Sequence, residues 1–265
     1  MTEEMTGLPY SSILVATEGA VRILTINRPA QTNKLSNQCL DELVDALEAA
    51  EAAPDCRVVI LTAVGEYFCN GGELGDCRTE SPVDIRAFGD RFVRFHTAIV
   101  RLRKPVIAAV QGHAHGGGSN LVEACDLAVA SSEATFAVPE MNFGLAPMMA
   151  LTGLTRFLSR KGVMEWSLLG EAIPASRAVE IGLVNWVCAP GEVMAKAMAV
   201  ANRLGQSSPT AMAACKRLYY EADALNYQRQ LECGLSMLVT LLKSEDAAEA
   251  VTAREQNRAP EWKAK

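Results

Sequence analysis

The chain has 265 residues, 49% of them hydrophobic and 21% charged, and its formal net charge is −6 at pH 7. This composition is ordinary for a globular protein that buries a sizeable core, whereas the acidic balance argues against nucleic acid as the main partner. No apolar run approaches the roughly 18 residues that a membrane-spanning helix needs, so we expect no membrane partner.

Cysteine usage bears on the compartment. The eight cysteines form no CxxC pair, which argues against a zinc ribbon or a thioredoxin-like motif. Residues 1–12 carry acidic side chains and lack the apolar core of a signal peptide. We therefore expect free thiols in a reducing compartment, and a cytoplasmic location.

The first half of the chain alternates predicted strands with predicted helices. Short apolar or β-rich runs predict strands at 21–26, 58–62, 105–110, 127–130 and 135–138. After the first strand, Ser36 or Asn37 caps a helix whose apolar stripe begins at Leu40. A further helix is predicted around 85–102. This alternation predicts a mainly parallel sheet covered by helices.

The second half is mostly helical in pattern, with one strand predicted at 183–187. The helical segments are predicted near 148–159, 161–169, 175–181, 192–204, 208–221, 224–243 and 245–255. The most plausible division lies near residue 200. It separates a core at 1–200 from a helical region at 201–265, which we expect to pack against a neighbouring subunit.

Two glycine-rich loops each follow a buried strand. Glycines 116–118 stand between the strand at 105–110 and a helix predicted at 121–125, and Gly71 and Gly72 form the second loop. Glycine leaves its backbone unshielded, so N–H groups there can approach a ligand closely. If both loops lie at one sheet edge, they offer two peptide donors to one oxygen, which is an oxyanion hole. The chain lacks the common nucleotide-binding glycine motifs.

Glu140 is a candidate acid/base group. It follows the strand at 135–138 and stands between the apolar residues Val138 and Met141. Burial would raise the pKa of its carboxyl and make it a better proton carrier near neutral pH. Its position alone leaves an ordinary solvated glutamate as the alternative.

The order and spacing of these features resemble the enoyl-CoA hydratase/isomerase (crotonase) family. The resemblance runs from about residue 13 to residue 262. Its matching segments are 21–29, 58–74, 104–130, 134–144, 156–170 and 175–187.

The resemblance implies an α/β fold, a spiral of ββα repeats with a helical C-terminal region, assembled as a homotrimer or hexamer. It implies acyl-CoA thioester substrates and an enolate intermediate, and we expect no metal or redox cofactor. Gly72 and Gly117 match the residues whose N–H groups stabilise the enolate, and Glu140 matches the general acid/base. Residues expected to contact the substrate or its CoA group are Arg28, Lys34, Asn70, Gly71, Leu74 and Gly116.

Asn120 departs from the hydratase pattern, in which a second glutamate stands at this position. An amide can orient water but has no useful proton affinity near neutral pH. The favoured expectation is therefore Δ3–Δ2 enoyl-CoA isomerisation with one carboxylate, in which Asn120 positions water or substrate. The alternatives are enoyl-CoA hydration, a hydroxycinnamoyl-CoA hydratase-lyase activity, other enolate chemistry such as decarboxylation, thioester hydrolysis or dehalogenation, and a CoA-binding protein without catalysis.

Three further features are expected to take no part in the chemistry. His113 and His115 have metal-ligand spacing but no obvious third ligand, so one is expected to line the acyl pocket. Cys69 has no recognisable base to activate it. Glu123 is expected on the side of its helix turn opposite Asn120, as a structural residue.

Overall fold

The computed structural model describes residues 10–73, 75 and 78–264. The strands are β1 (Ile13–Glu18), β2 (Val21–Ile26), β3 (Val58–Ala63), β4 (Tyr67–Asn70), β5 (Val106–Val110), β6 (His113–His115), β7 (Leu127–Ser131), β8 (Thr135–Ala137), β9 (Ile173–Pro174) and β10 (Trp186–Cys188). The helices are α1 (Asn37–Ala52), α2 (Pro82–Arg101), α3 (Gly117–Ala124), α4 (Met148–Phe157), α5 (Arg160–Leu169), α6 (Ala175–Glu180), α7 (Val193–Gly205), α8 (Pro209–Ala222), α9 (Tyr227–Leu241) and α10 (Glu245–Glu255). Short 3₁₀ helices lie at Pro29–Gln31 and Pro139–Phe143.

The strands form two sheets rather than the one that was predicted. The larger sheet has the order β1-β2-β3-β5-β7-β10, and all its pairs are parallel except the β1–β2 hairpin. The smaller sheet has the order β4-β6-β8-β9. The strand predicted at 135–138 is β8, which therefore belongs to the smaller sheet. Both glycine loops also follow strands of that sheet.

The central strands of the larger sheet are buried on both faces. Every residue of β3 and β5 is buried, which is the behaviour of near-continuous apolar runs in a helix-covered parallel sheet. On one face Val59 and Leu61 join the core formed with α1 and α2. On the other face Val58 and Ile60 pack with the apolar side chains of α7.

Helix α1 forms where its cap and apolar stripe predicted it. The Ser36 side chain accepts a hydrogen bond from the Cys39 N–H at 3.1 Å, which satisfies one of the free donors at the helix start. The stripe points into the main core, where its leucines and valine are all buried. Most of the binding of α1 to the sheet therefore comes from apolar burial on one face.

The C-terminal helices are tied to the core by a buried ion pair. Lys216 Nζ of α8 lies 2.6 Å from the Asp126 carboxylate, and both side chains are largely buried. Helix α7 runs through residue 200 and packs on the larger sheet. The division into regions 1–200 and 201–265 stays a prediction. In the part of the chain that the structure describes, no helix is both long and apolar enough to cross a membrane.

Candidate functional site

The two glycine loops lie side by side because the strands that precede them are neighbours. Strands β4 and β6 pair in parallel, with Asn70 opposite His115 at the end of the register. The chain then turns at Gly71, whose φ is +90°, and at Gly116, whose φ is +52°. Positive φ values of this kind favour glycine, which has no Cβ atom to clash with the backbone.

Close contacts confirm that the loops touch. A Cβ atom added to Gly116 would lie 3.5 Å from the Cα of Gly71, and one added to Gly117 would lie 3.4 Å from the carbonyl carbon of Gly71. A Cβ on Gly118 would come within 2.1 Å of the Cys69 carbonyl oxygen. The start of α3 is therefore packed directly on the backbone of 69–71.

The hydrogen bonds around Gly72 fix the direction of its N–H group. Leu35 donates its N–H to the carbonyl oxygen of Gly71 at 2.9 Å, and Glu73 donates to Leu35 at 2.9 Å. The C=O and N–H of a trans peptide point in opposite directions. The Gly72 N–H therefore points away from Leu35, and no acceptor among the described residues takes it.

The Gly117 N–H also has no acceptor among the residues that the structure describes, for a different reason. Gly117 is the first residue of α3, and the first N–H groups of a helix have no partner within that helix. The carbonyl of Gly116 is used inside the helix, since it accepts from Asn120 N–H at 3.2 Å. The Gly117 N–H thus points out of the helix start, where the helix dipole favours negative charge.

Two polar side chains that the sequence analysis missed hold these loops in place. The Ser119 hydroxyl lies 2.7 Å from the Ala114 carbonyl and 2.9 Å from the Ala137 carbonyl, so it joins α3 to β6 and β8. Asn33 is buried with φ +53°, and its amide donates to the carbonyls of Val64 and Tyr67. Hydrogen-bonded clamps of this kind keep peptide donors preorganised.

Glu140 lies beside the glycine triplet. The Gly116 N–H donates to the Ala137 carbonyl at 2.8 Å, and this bond brings the 3₁₀ helix after β8 next to the loop. A Cβ on Gly116 would lie 3.6 Å from Glu140 Oε1. The Oε2 atom is buried and has no hydrogen-bond partner in the described structure. Burial raises the pKa of the Glu140 carboxyl, and only its own backbone N–H opposes this.

Asn120 is held in one orientation by a histidine on α2. It is buried, with 2% of its surface exposed, and its Oδ1 lies 2.8 Å from Nε2 of His96. Burial lowers the pKa of His96, so the ring is neutral near pH 7 and donates from Nε2 to the amide oxygen. The sequence analysis gave no role to His96, because nothing near it in the chain indicates this partner.

Glu123 lies on the same side of α3 as Asn120, which corrects the sequence-based placement. Residues three apart on a helix share a face. Burial raises the pKa of the Glu123 carboxyl to about 9, and the Asn120 amide and the Arg156 guanidinium oppose this only in part. A Cβ on Gly153 of α4 would lie 1.4 Å from Glu123 Oε1, so the carboxyl fills the space that this glycine leaves.

Of the residues expected to contact CoA, Arg28 is held by an ion pair and Lys34 is exposed. Arg28 is paired with Glu73 at 2.9 Å and also donates to the Lys34 carbonyl. It joins the loop after β2 to the residue that follows Gly72. The side chain of Lys34 is exposed. Leu74 lies outside the described residues.

Asn70 serves as a link between loops. Its N–H donates to the Thr32 carbonyl at 3.0 Å, and its side-chain amide donates to the Thr32 hydroxyl at 3.3 Å. Asn70 therefore connects the end of β4 to the loop after β2. The loop that carries Gly72 is held on both sides, through Asn70 before it and Glu73 after it.

The remaining candidates have structural contacts. His113 and His115 share one face of β6, and a ring nitrogen of each lies 2.8 Å from Thr135 Oγ1. Across the described ranges no group of three or more His, Cys, Asp or Glu side chains could hold a metal ion. Burial raises the pKa of the Cys69 thiol. The seven described cysteines are all free thiols.

Apolar side chains near the site are exposed rather than part of the core. Phe143 and Met148 are 76% and 65% exposed, and Met141 and Met149 are 40% and 37% exposed. A groove of about 350 Å³ lies elsewhere, between α1 and α2, and none of the predicted site residues lines it.

Comparison of the fold with solved structures places it in the crotonase class. An enoyl-CoA hydratase from Mycobacterium smegmatis superposes with a TM-score of 0.90 at 33% identity, covering 95% of this chain and 99% of that one. An enoyl-CoA hydratase from Polaromonas sp. JS666 gives a TM-score of 0.91 at 33% identity, covering 96% and 100%.

The sequence comparisons define the family. The enoyl-CoA hydratase/isomerase family model matches residues 16–265. The 2,3-dehydroadipyl-CoA hydratase of Escherichia coli K12 is 31% identical over 96% of this chain and 99% of its own length. The carnitinyl-CoA dehydratase of Proteus mirabilis is 32% identical over 95% and 98%. The chain belongs to the enoyl-CoA hydratase/isomerase family, whose members are enzymes that act on acyl-CoA thioesters.

Proposed function

We propose that this enzyme moves a proton on an enoyl-CoA thioester through an enolate. In this proposal the N–H groups of Gly72 and Gly117 bind the thioester oxygen, and Glu140 carries the proton. The observation that carries it is the contact between the two glycine loops, with the Glu140 carboxyl lying against Gly116.

The chemistry depends on charge that appears during the reaction. When a proton leaves C2, negative charge grows on the thioester oxygen. Donors that already point at that oxygen stabilise the transition state without having to reorganise. The paired strands β4 and β6 fix both peptides, and the dipole of α3 adds a favourable field at Gly117.

Isomerisation is the reaction that a single carboxylate can complete. The Glu140 carboxylate takes a proton from C2 of a 3-enoyl thioester and returns it at C4, which gives the conjugated 2-enoyl thioester. Its raised pKa suits it to both steps. Asn120 supports this reading because its amide cannot accept a proton near neutral pH.

Hydration is the second candidate, and a specific observation favours it. The Glu123 carboxyl lies beside the Asn120 amide, so a second acid is present one turn along α3. Relatives named as hydratases or dehydratases match nearly the whole chain. A hydratase-lyase reaction would begin with the same addition of water.

Absorbance of the conjugated enoyl thioester separates these reactions. Turnover of a 3-enoyl-CoA alone supports isomerisation, whereas loss of absorbance with a 2-enoyl-CoA supports hydration. Glu140→Gln keeps the shape of the side chain and removes its base, so it should reduce turnover about 10²–10⁴-fold and leave CoA-ester binding nearly intact. Glu133→Gln, at an exposed glutamate between β7 and β8, is the matched control. Unchanged turnover in Glu140→Gln contradicts the proposal.

A second variant tests what Asn120 contributes. Asn120→Glu restores the carboxylate that hydratases of this family carry, and we expect it to gain hydration of a 2-enoyl-CoA. If both enoyl esters are bound but neither is converted, the chain is a CoA-binding protein rather than a catalyst for these substrates.

The proposal includes no metal or redox cofactor. It also includes a cytoplasmic location and a homotrimeric or hexameric assembly through the C-terminal region. Support for the assembly comes from α9, on which no described residue is buried. Leucines 231, 235, 238 and 242 of α9 and the turn after it are each at least 50% exposed, and apolar faces of this kind are typical of subunit contacts.

A further inference from the structure

Asn120 and Glu123 form a largely buried polar pair, and the proposed isomerisation by Glu140 does not use the Glu123 carboxyl. The pair lies on α3 between His96 of α2 and Gly153 of α4. Buried polar groups are nearly always hydrogen-bonded, because an unpaired one costs free energy. Unpaired atoms in this pair therefore indicate what it is built to bind.

The amide of Asn120 has a donor to spare. Its Oδ1 is occupied by Nε2 of His96 at 2.8 Å, which fixes the amide and turns its nitrogen to the other side. The Nδ2 atom is buried and has no hydrogen-bond partner within 3.5 Å among the residues described, and its contact with the Glu123 carboxyl is a longer one. With 2% of the residue exposed, bulk water does not satisfy this donor.

The carboxyl of Glu123 also has an unused oxygen. Oε1 rests over Gly153, and Oε2 is buried without a protein partner in the described ranges. Burial keeps this carboxyl protonated at neutral pH, since its pKa is raised to about 9. A protonated carboxyl both donates and accepts a hydrogen bond.

The pair lies along the direction in which an acyl chain would run. Gly117 begins α3 and Glu123 is six residues further on, about 9 Å along the helix at 1.5 Å per residue. Asn120 lies between them, one turn from each, and shares a face with Glu123. An acyl group whose thioester oxygen is held at Gly117 would then meet Asn120 beside its reacting carbons and Glu123 beyond them.

We propose that Glu123, together with Asn120, determines substrate specificity by binding an uncharged oxygen, a hydroxyl or keto group, on the distal part of the acyl chain. Such an oxygen accepts from Asn120 Nδ2 and pairs with the Glu123 carboxyl. The inference rests on the proposed function, because it takes the thioester to be held at Gly72 and Gly117.

The neighbouring cation explains why an uncharged oxygen fits better than a carboxylate. Arg156 of α4 is the cation whose charge lowers the pKa of the Glu123 carboxyl. It is already paired with Asp223 at 3.2 Å and lies over the rings of Tyr219 and Tyr220. No free cation among the described neighbours of the pair is left to balance a substrate carboxylate.

The test compares binding of unreactive esters that differ only in the distal oxygen. Hexanoyl-CoA and its hydroxylated analogues, with the hydroxyl at C4, C5 or C6, are titrated by calorimetry into the wild type, Glu123→Gln and Glu123→Leu. Glu133→Leu, at the exposed position between β7 and β8, is the matched control. A site built to hydrogen-bond a hydroxyl discriminates strongly against the analogue that lacks it. We expect at least one hydroxy ester to bind the wild type about 10-fold more tightly than hexanoyl-CoA.

The two Glu123 variants show whether the preference for a hydroxy ester depends on the carboxyl. Glu123→Leu should reverse the preference in favour of hexanoyl-CoA, whereas Glu123→Gln should keep most of it, because the amide still donates and accepts. Equal affinity for all esters in the wild type overturns the inference, as does a preference that Glu123→Leu leaves unchanged. If Glu123→Leu does not fold, Glu123→Met takes its place, because its side chain has nearly the length of glutamate without the carboxyl and should also lose the preference. Failure of the proposed function has a different signature, either no binding of any ester or no turnover of either enoyl-CoA.

Discussion

Gly118→Ala tests whether the contact between the two loops sets the rate. A methyl group at this position would lie 2.1 Å from the Cys69 carbonyl oxygen, and contacts below 3.0 Å essentially never occur. The start of α3 must then move from β4 by about 1 Å, and a misplacement of that size can cost about 100-fold in rate. We expect kcat on the better enoyl-CoA substrate to fall by at least about 100-fold, with a lower Tm.

The control is a glycine with room around it. Gly89 lies within α2, and a Cβ there meets nothing within 4 Å. Replacing a glycine in a helix interior by alanine stabilises by up to about 1 kcal/mol, so Gly89→Ala should keep full activity and an equal or higher Tm. Full activity and an unchanged Tm in Gly118→Ala would refute the claim that the loops are packed as described.

Four further predictions follow from charge and burial. Glu140→Gln should reduce kcat about 10²–10⁴-fold, and wild-type activity should fall as pH drops through a pKa above the ordinary 4.5, since the base must be ionised. Glu123 is neutral in the folded state up to about pH 9 but ionises above 4.5 when unfolded. Its contribution therefore lowers the free energy of unfolding by about 1.4 kcal/mol per pH unit within that window, and urea titrations of Glu123→Gln should lack this slope. Burial raises the pKa of Asp246, but hydrogen bonds from Thr210, Ser208 and the N–H groups of Lys263 and Ala264 lower it to about 2. The stability it confers is complete above pH 3.8 and is lost as pH falls towards 2, so Asp246→Asn should flatten the acid limb of a thermal-unfolding profile. Leu235→Glu, on the exposed face of α9, should reduce the mass measured by light scattering, and an unchanged mass would argue against this face as the interface.

The sequence predicted those strands and helices whose apolar pattern or cap lies within a few neighbouring residues. The largely apolar run at 58–62 became a fully buried strand, and the Ser36 cap with its apolar stripe became α1. Strands β4 and β6 were interpreted as loops because they are short and rich in polar residues. The β-hairpin partner β1 was missed because its residues alternate only weakly between buried and exposed.

The site was predictable only where a motif spans few residues. The glycine loops and Glu140 could be proposed from their neighbours in the chain. The bond between His96 and Asn120 could not, because it joins α2 to α3 and depends on how the helices pack. Asn33, which organises the loop after β2 with a positive φ, carries no sequence signal of its own. Glu123 was misplaced for a simpler reason, since three residues along a helix nearly complete a turn.

The central claim is that two peptide N–H groups polarise one thioester oxygen next to Glu140. Isotope-edited infrared spectroscopy of a 2-enoyl-CoA labelled at the carbonyl carbon, bound to the Glu140→Gln variant, measures that interaction directly because the substrate is not consumed. We predict a carbonyl stretch at lower frequency than the same ester shows in water, with weaker displacement in Gly118→Ala. A bound carbonyl that absorbs at or above its frequency in water would contradict the account.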